Sequence, residues 1–211
     1  ALCAAMLLSM AGVSYSADSR STNSSSPTIQ VLPAQPKPIK PVARVTEPDV
    51  PEDEEEQSYF CIEATNPAFI ESMQKFGVKT SSMVLTESGT NQTYSPISFA
   101  YALGVLGSGA SGQTARNIAK ALETSTMTAA SKGLSWFYTT HYDDHEGSVL
   151  KIANSLWLQE DYPIKEEFAK KAAEQFYASA YSVDFSEQAT ADAMAKWISE
   201  QTSGLLNPTF Q

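Results

Sequence analysis

At 211 residues the chain has room for one sizeable domain, or for a smaller one with long appendages. Its formal charge of −10 excludes a binder of nucleic-acid phosphates, which needs a basic stripe. With only two cysteines, Cys3 and Cys61, it is not a disulfide-stapled mini-protein, and no Cys/His spacing suggests a zinc site.

Ala1 to Val13 is an apolar run interrupted by Ser9, too short to cross a bilayer as a helix. Small residues follow at Ser14, Ser16 and Ala17, where an export peptidase is expected to cut after Ser16. Residues 1–16 are therefore predicted to be a signal peptide, clipped before its charged leading region, and the product to be secreted. The alternative is a short anchor that stays attached. Cleavage would leave Cys61 without an intrachain partner, so the domain must rely on packing.

Residues 17–57 are expected to be unpacked. They are rich in Ser, Thr and Pro, with Pro33, Pro36, Pro38 and Pro41 favouring extended backbone, and they then turn acidic from Glu47 to Glu56. The acidic run reads as a solvated, self-repelling linker. A folded domain is predicted over 58–211.

Within it, Asn66-Pro67 is a helix start, and Phe69, Met73, Phe76, Thr80 and Met83 form one buried stripe. Gln92-Thr93-Tyr94 reads as a short strand ahead of Ser95-Pro96. The next helix, with Ile97, Phe99, Ala100, Tyr101, Ala102, Leu103, Val105 and Leu106, is apolar all round and calls for cover on every side. A glycine-rich turn over 107–112 leads to a helix marked by Ala115, Ile118, Ala119 and Leu122, and another is predicted from about Thr128 to Tyr142. Leu150 to Leu158 is largely apolar in both phases, as in a strand covered on both faces. Pro163 is expected to open a helix through Phe176. Tyr181, Val183 and Phe185 alternate as a second strand, and a final helix runs to about Thr202, with Gly204 as its left-handed cap. Two strands leave a sheet short of partners.

Three motifs could carry chemistry. Gly107-Ser108-Gly109-Ala110-Ser111-Gly112 matches the dinucleotide pattern but follows a helix instead of a strand, so it reads as a turn with no cofactor. Ser72-Met73-Gln74-Lys75 matches the S-x-x-K of penicillin-binding enzymes, which makes an exported serine hydrolase using Ser72 and Lys75 a remote alternative. His141 and His145 could share a helix face and grip a metal, but Asp143, Asp144 and Glu146-Gly147 read better as a polar turn. No catalytic residue and no metal site is assigned.

Three blocks together resemble the serpin family. They are Asn91-Gln92-Thr93-Tyr94-Ser95-Pro96-Ile97-Ser98; Leu106 to Thr114 with its Gly109-Ala110-x-Gly112 core; and Ala153-Asn154-Ser155-Leu156-Trp157-Leu158 with Tyr177, Val183-Asp184-Phe185 and Thr202-Ser203-Gly204. The resemblance implies an α+β serpin-like fold: helices A to F and the first strands of a large central sheet, without the remaining sheets or the reactive loop. It also implies an inhibitor whose loop is cut by a target serine protease, or a cysteine protease, and inserts into the sheet as an extra strand. The reactive-centre bond is absent from these 211 residues, so the fragment alone is expected to be inactive. Asn91, Ser95 and Ser98 match the polar cluster, the shutter, beneath the opening sheet, and Asn91 is expected to be buried there. A plain helix-capping role for Ser95 fits equally well. Ala195 and Leu205 depart from the family's frequent Asn and Lys. Absence of a membrane span after leader removal and a monomeric state are further expectations, and a non-inhibitory serpin-fold binding or chaperone-like protein is the alternative.

Overall fold

The computed structural model describes residues 5–13, 30–31, 66–86, 89, 91–145 and 148–210. Helix α1 (Pro67–Val84) starts as its sequence dictates. The Asn66 side chain accepts the Phe69 N–H at 3.2 Å, and Pro67 sits where a missing donor is harmless. Phe69, Phe76 and Thr80 are buried, with the Thr80 hydroxyl donating to the Phe76 carbonyl at 2.7 Å. Met83 departs from the expected stripe and is 70% exposed, because the covered face ends before the helix does.

Helices α2 (Pro96–Gly109), α3 (Gly112–Ala121) and α4 (Met127–His141) follow, and α2 is the hub, contacting α1, α3 and α4. Ala100, Tyr101, Gly104 and Val105 are buried, but Phe99 and Leu106 are exposed, so cover on every side is not realised among the described residues. The expected turn over 107–112 is also shorter than the sequence suggests. The helix runs through Gly107 to Gly109, and the Met127 Sδ of α4 lies 2.6 Å from where a Cβ at Gly107 would stand. Glycine here serves close helix packing.

The sheet is built on β4 (Ser148–Gln159) and β5 (Ala178–Val183), parallel from Asn154↔Ala178 to Gln159↔Val183, with α5 (Glu166–Phe176) crossing between them. Helix α5 begins three residues after the expected Pro163 start, with two acids, Glu166 and Glu167, in its first turn, where the helix dipole favours them. Residues Ile152 to Leu158 are buried without interruption, as a strand covered on both faces requires. Their side chains divide by the two-residue period. Ile152 joins Phe69, Tyr101, Leu134 and Phe176 on the helical side, whereas Ala153 and Trp157 meet Met194, Trp197 and Ile198 of α6 (Gln188–Gln201). After α6, Gly204 takes φ +79° and returns its N–H to the Ser199 carbonyl at 2.8 Å, closing the helix as its sequence implies.

Three further strands join the sheet among the described residues. β3 (Asp143–His145) forms a hairpin with the start of β4, pairing Asp143 with Leu150. β1 (Ala5–Val13) lies antiparallel on β4, from Ala5↔Leu158 to Val13↔Leu150. β2 (Gln30–Val31) pairs with β5, giving the order β1-β4-β5-β2. The partners that two strands alone would lack thus come from the N-terminal apolar run and from a point inside the stretch expected to be unpacked. Ser16, Asn23, Cys61 and most of 17–65 lie outside the described residues. Gln92-Thr93-Tyr94, expected as a strand, joins no ladder and is irregular.

Candidate functional site

Local chemistry fixes the entry to α2. A residue before proline is driven out of the helical region, and Ser95 takes φ −110°, ψ 100° ahead of Pro96. That conformation turns its hydroxyl back on the first turn, where Oγ accepts the Ser98 N–H at 3.3 Å. The two hydroxyl oxygens are also only 2.9 Å apart, and Ser98 is buried. The structure therefore brings Ser95 and Ser98 together in one hydrogen-bonded pair. Asn91 does not join them: it is exposed, and no hydrogen bond links it to either serine. The expected burial is not seen among the described residues. With 91–94 outside any ladder, nothing among the described residues covers the amide.

Tyr94 lies between Asn91 and the serine pair. Its hydroxyl oxygen is buried without a hydrogen-bond partner among the described residues, and its ring meets Phe99 edge-on at 6.5 Å. Phe99 in turn lies 5.7 Å from Phe76 of α1. The motif Asn91 to Ser98 contains this tyrosine, yet nothing in the residue type announces a buried, unpaired phenol.

Under the sheet a second set of polar groups is fully engaged. Asn154 of β4, 2% exposed, donates its amide to the Phe176 carbonyl at 2.9 Å, tying the strand to the end of α5. Trp157 Nε1 donates to Ser155 Oγ at 2.9 Å. The Tyr101 hydroxyl donates to the Leu134 carbonyl at 2.7 Å, and Tyr138 stacks on Tyr177 at 4.0 Å. Burial pushes the phenols of Tyr101 and Tyr138 well above the ordinary tyrosine value. At the end of β5, the N–H and hydroxyl of Ser186 donate to Asp184 and hold its carboxyl below the usual range.

The competing motifs do not assemble. Ser72 Oγ donates to the Ala68 carbonyl at 2.9 Å, while Lys75 Nζ pairs with Glu71 at 2.6 Å on the exposed face. Neither faces the other as nucleophile and base must, so the Ser72/Lys75 hydrolase reading has no geometry behind it. His141 ends α4, its ring stacked on Phe137 at 4.1 Å, whereas His145 belongs to β3, so the two share no helix face. Among the described residues no cluster of metal-ligating side chains occurs, and no helix is long and apolar enough to cross a membrane. Clefts of about 450 and 150 Å³ lie beside α4 among the described residues, and neither is lined by Ser95 or Ser98.

Comparison with known proteins identifies the fold. Residues 71–211, more than half the chain, match the family model Serpin (serine protease inhibitor). Neuroserpin of Rattus norvegicus is 35% identical over 120 residues, covering 55% of this chain and 29% of that protein. The chain thus spans about three tenths of the length of this curated relative. Among solved structures, the native thermophilic serpin Tengpin superposes with a TM-score of 0.63 at 24% identity, covering 70% of this chain and 38% of its own. Serpin48 of the insect Tenebrio molitor gives 0.58 at 28% identity, covering 67% and 39%. With its α+β architecture in agreement, the chain belongs to the serpin family.

Proposed function

We propose that these residues form the N-terminal scaffold of an exported inhibitor of a serine protease, or of a cysteine protease. The reading rests on the family match over 71–211. In it, residues 1–16 are a cleaved leader, whose removal frees the edge of β4 that β1 occupies in this structure, 17–57 are a tether that touches the sheet at Gln30–Val31, and the folded domain acts as a monomer. The bait loop lies outside these 211 residues, which alone do not inhibit. No residue here is catalytic, since the protease supplies the chemistry, and no cofactor takes part.

The Ser95–Ser98 pair is the part of the shutter that this geometry favours. A short hydroxyl-to-hydroxyl bond at a buried helix start can be exchanged for bonds to a moving strand with little net loss, because each oxygen both donates and accepts. Asn91 contributes only if the segment 91–94 folds inward. Progress curves of trypsin-, subtilisin- and papain-like enzymes test the reading. The full-length protein is expected to abolish one of these activities irreversibly, with one enzyme lost per inhibitor. Unchanged rates with all three classes would favour the non-inhibitory binding or chaperone-like alternative.

A further inference from the structure

We infer that the run between Pro27 and Pro33 is a strap that adds to the outer edge of β5 and pins the tether to the sheet, an inference that deepens the tether reading above and rests on it. On one side β5 is bonded to β4. On the other it receives β2, antiparallel, with Gln30 opposite Ser182 and Val31 opposite Tyr181. The register places Trp157, Tyr181 and Val31 in one row across β4, β5 and β2. Tyr181 stacks on Trp157 at 4.4 Å, within the cluster that packs against α6. The strap therefore joins the sheet opposite a tyrosine that is itself held in place.

The sequence around the pair suits an edge strand. Thr28, Ile29 and Val31 favour extended backbone, in a stretch otherwise rich in Ser and Pro. Pro27 and Pro33 bound the run, and proline beside a ladder is tolerated where the strand is bonded on one side only. An unpaired edge is a template for another chain, so a segment that covers it also blocks association through β5. A ladder this short is weak between separate molecules. Covalent attachment raises the effective concentration of the run at β5, which makes the chain's own segment the occupant. Strapping divides the tether into a part before Pro27 and a closed loop from Pro33 to α1. The reach of the domain from its N-terminus is then set by the first part alone.

The test uses the full-length protein begun at Ala17, in a background whose native cysteines are replaced by serine. Directly opposed residues of an antiparallel pair have Cα atoms about 4.5–5.5 Å apart, within the range a disulfide spans. Gln30→Cys with Ser182→Cys is therefore expected to close an intrachain disulfide on mild oxidation, located by peptide mapping. Arg44→Cys with Ser182→Cys, drawn from the other strand-prone run of the tether, Val42 to Thr46, is expected to stay reduced. Independently, hydrogen exchange of peptides covering Tyr181 and Ser182 should quicken by about tenfold or more in Gln30→Pro/Val31→Pro. The neighbouring pair Ala34→Pro/Gln35→Pro should leave it unchanged. Failure of the Gln30→Cys pair to close, or closure of the Arg44→Cys pair in preference to it, overturns the proposal. So does β5 exchange that Gln30→Pro/Val31→Pro leaves as it was, because another strand, from beyond Gln211 or from a second copy, would then hold the edge. Neither readout involves a protease, so loss of the strap and loss of the inhibitor reading are told apart.

Discussion

Tyr94 carries a hydroxyl oxygen that is buried and unpaired among the described residues. Leaving such a group without a partner costs about 1–3 kcal/mol, whereas removing it with little change of shape removes that penalty. Tyr94→Phe is therefore expected to leave the thermal midpoint of the chain unchanged or raised. A fall of several degrees would mean that the hydroxyl has a partner after all. Ser95 behaves differently, because its side chain both caps α2 and meets Ser98 Oγ at 2.9 Å. Ser95→Ala is expected to cost about 1 kcal/mol in denaturant unfolding. Combined with Ser98→Ala, the loss should be less than additive, because the second change removes a group already left without its partner. Residue types alone made the cap legible: serine before proline before an apolar run has few other uses. They could not make the exposure of Asn91 legible, because that depends on what packs over 91–94.

At the scale of elements, α2 and α4 hold the helical core together through tyrosines. Tyr101 stands edge-on to Tyr138 at 6.3 Å, and Tyr138 stacks on both Tyr142 and Tyr177. Burial, with neighbouring phenols adding to it, raises the values of Tyr101 and Tyr138. An unfolded phenol ionises near pH ~10. Above that pH the unfolded state binds fewer protons than the folded one, and stability falls as pH rises. The stabilisation is fully present below that point. Chemical denaturation is expected to show an alkaline loss beginning there, smaller in Tyr138→Phe than in the parent chain. A pH-independent midpoint up to strong alkali would contradict the buried cluster. Element positions were largely readable from periodicity, and the failures are instructive. Gly107 looked like a turn because glycine usually marks one, yet it sits within α2 so that Met127 can approach. Pro163 could open a helix, but α5 waits for Glu166 and Glu167, whose carboxylates suit its first turn.

For the whole molecule, β4 joins two packed layers, α1 to α5 on one side and α6 on the other. That architecture was legible because Leu150 to Leu158 is largely apolar in both phases, as a doubly covered strand requires. The pairing of β1 with β4 was not, since an apolar run followed by small residues carries the pattern of a leader whatever it later touches. The family is fixed by the match over 71–211, and inhibition is the claim that remains to be measured. Its most direct test is incubation of the full-length protein with trypsin-, subtilisin- and papain-like proteases, followed by boiling in detergent and electrophoresis. The expected result is a covalent complex with one of them, running at the combined mass of inhibitor and enzyme, and none with residues 1–211 alone. No complex in any of the three classes, or a complex formed by the 211 residues by themselves, would contradict the account.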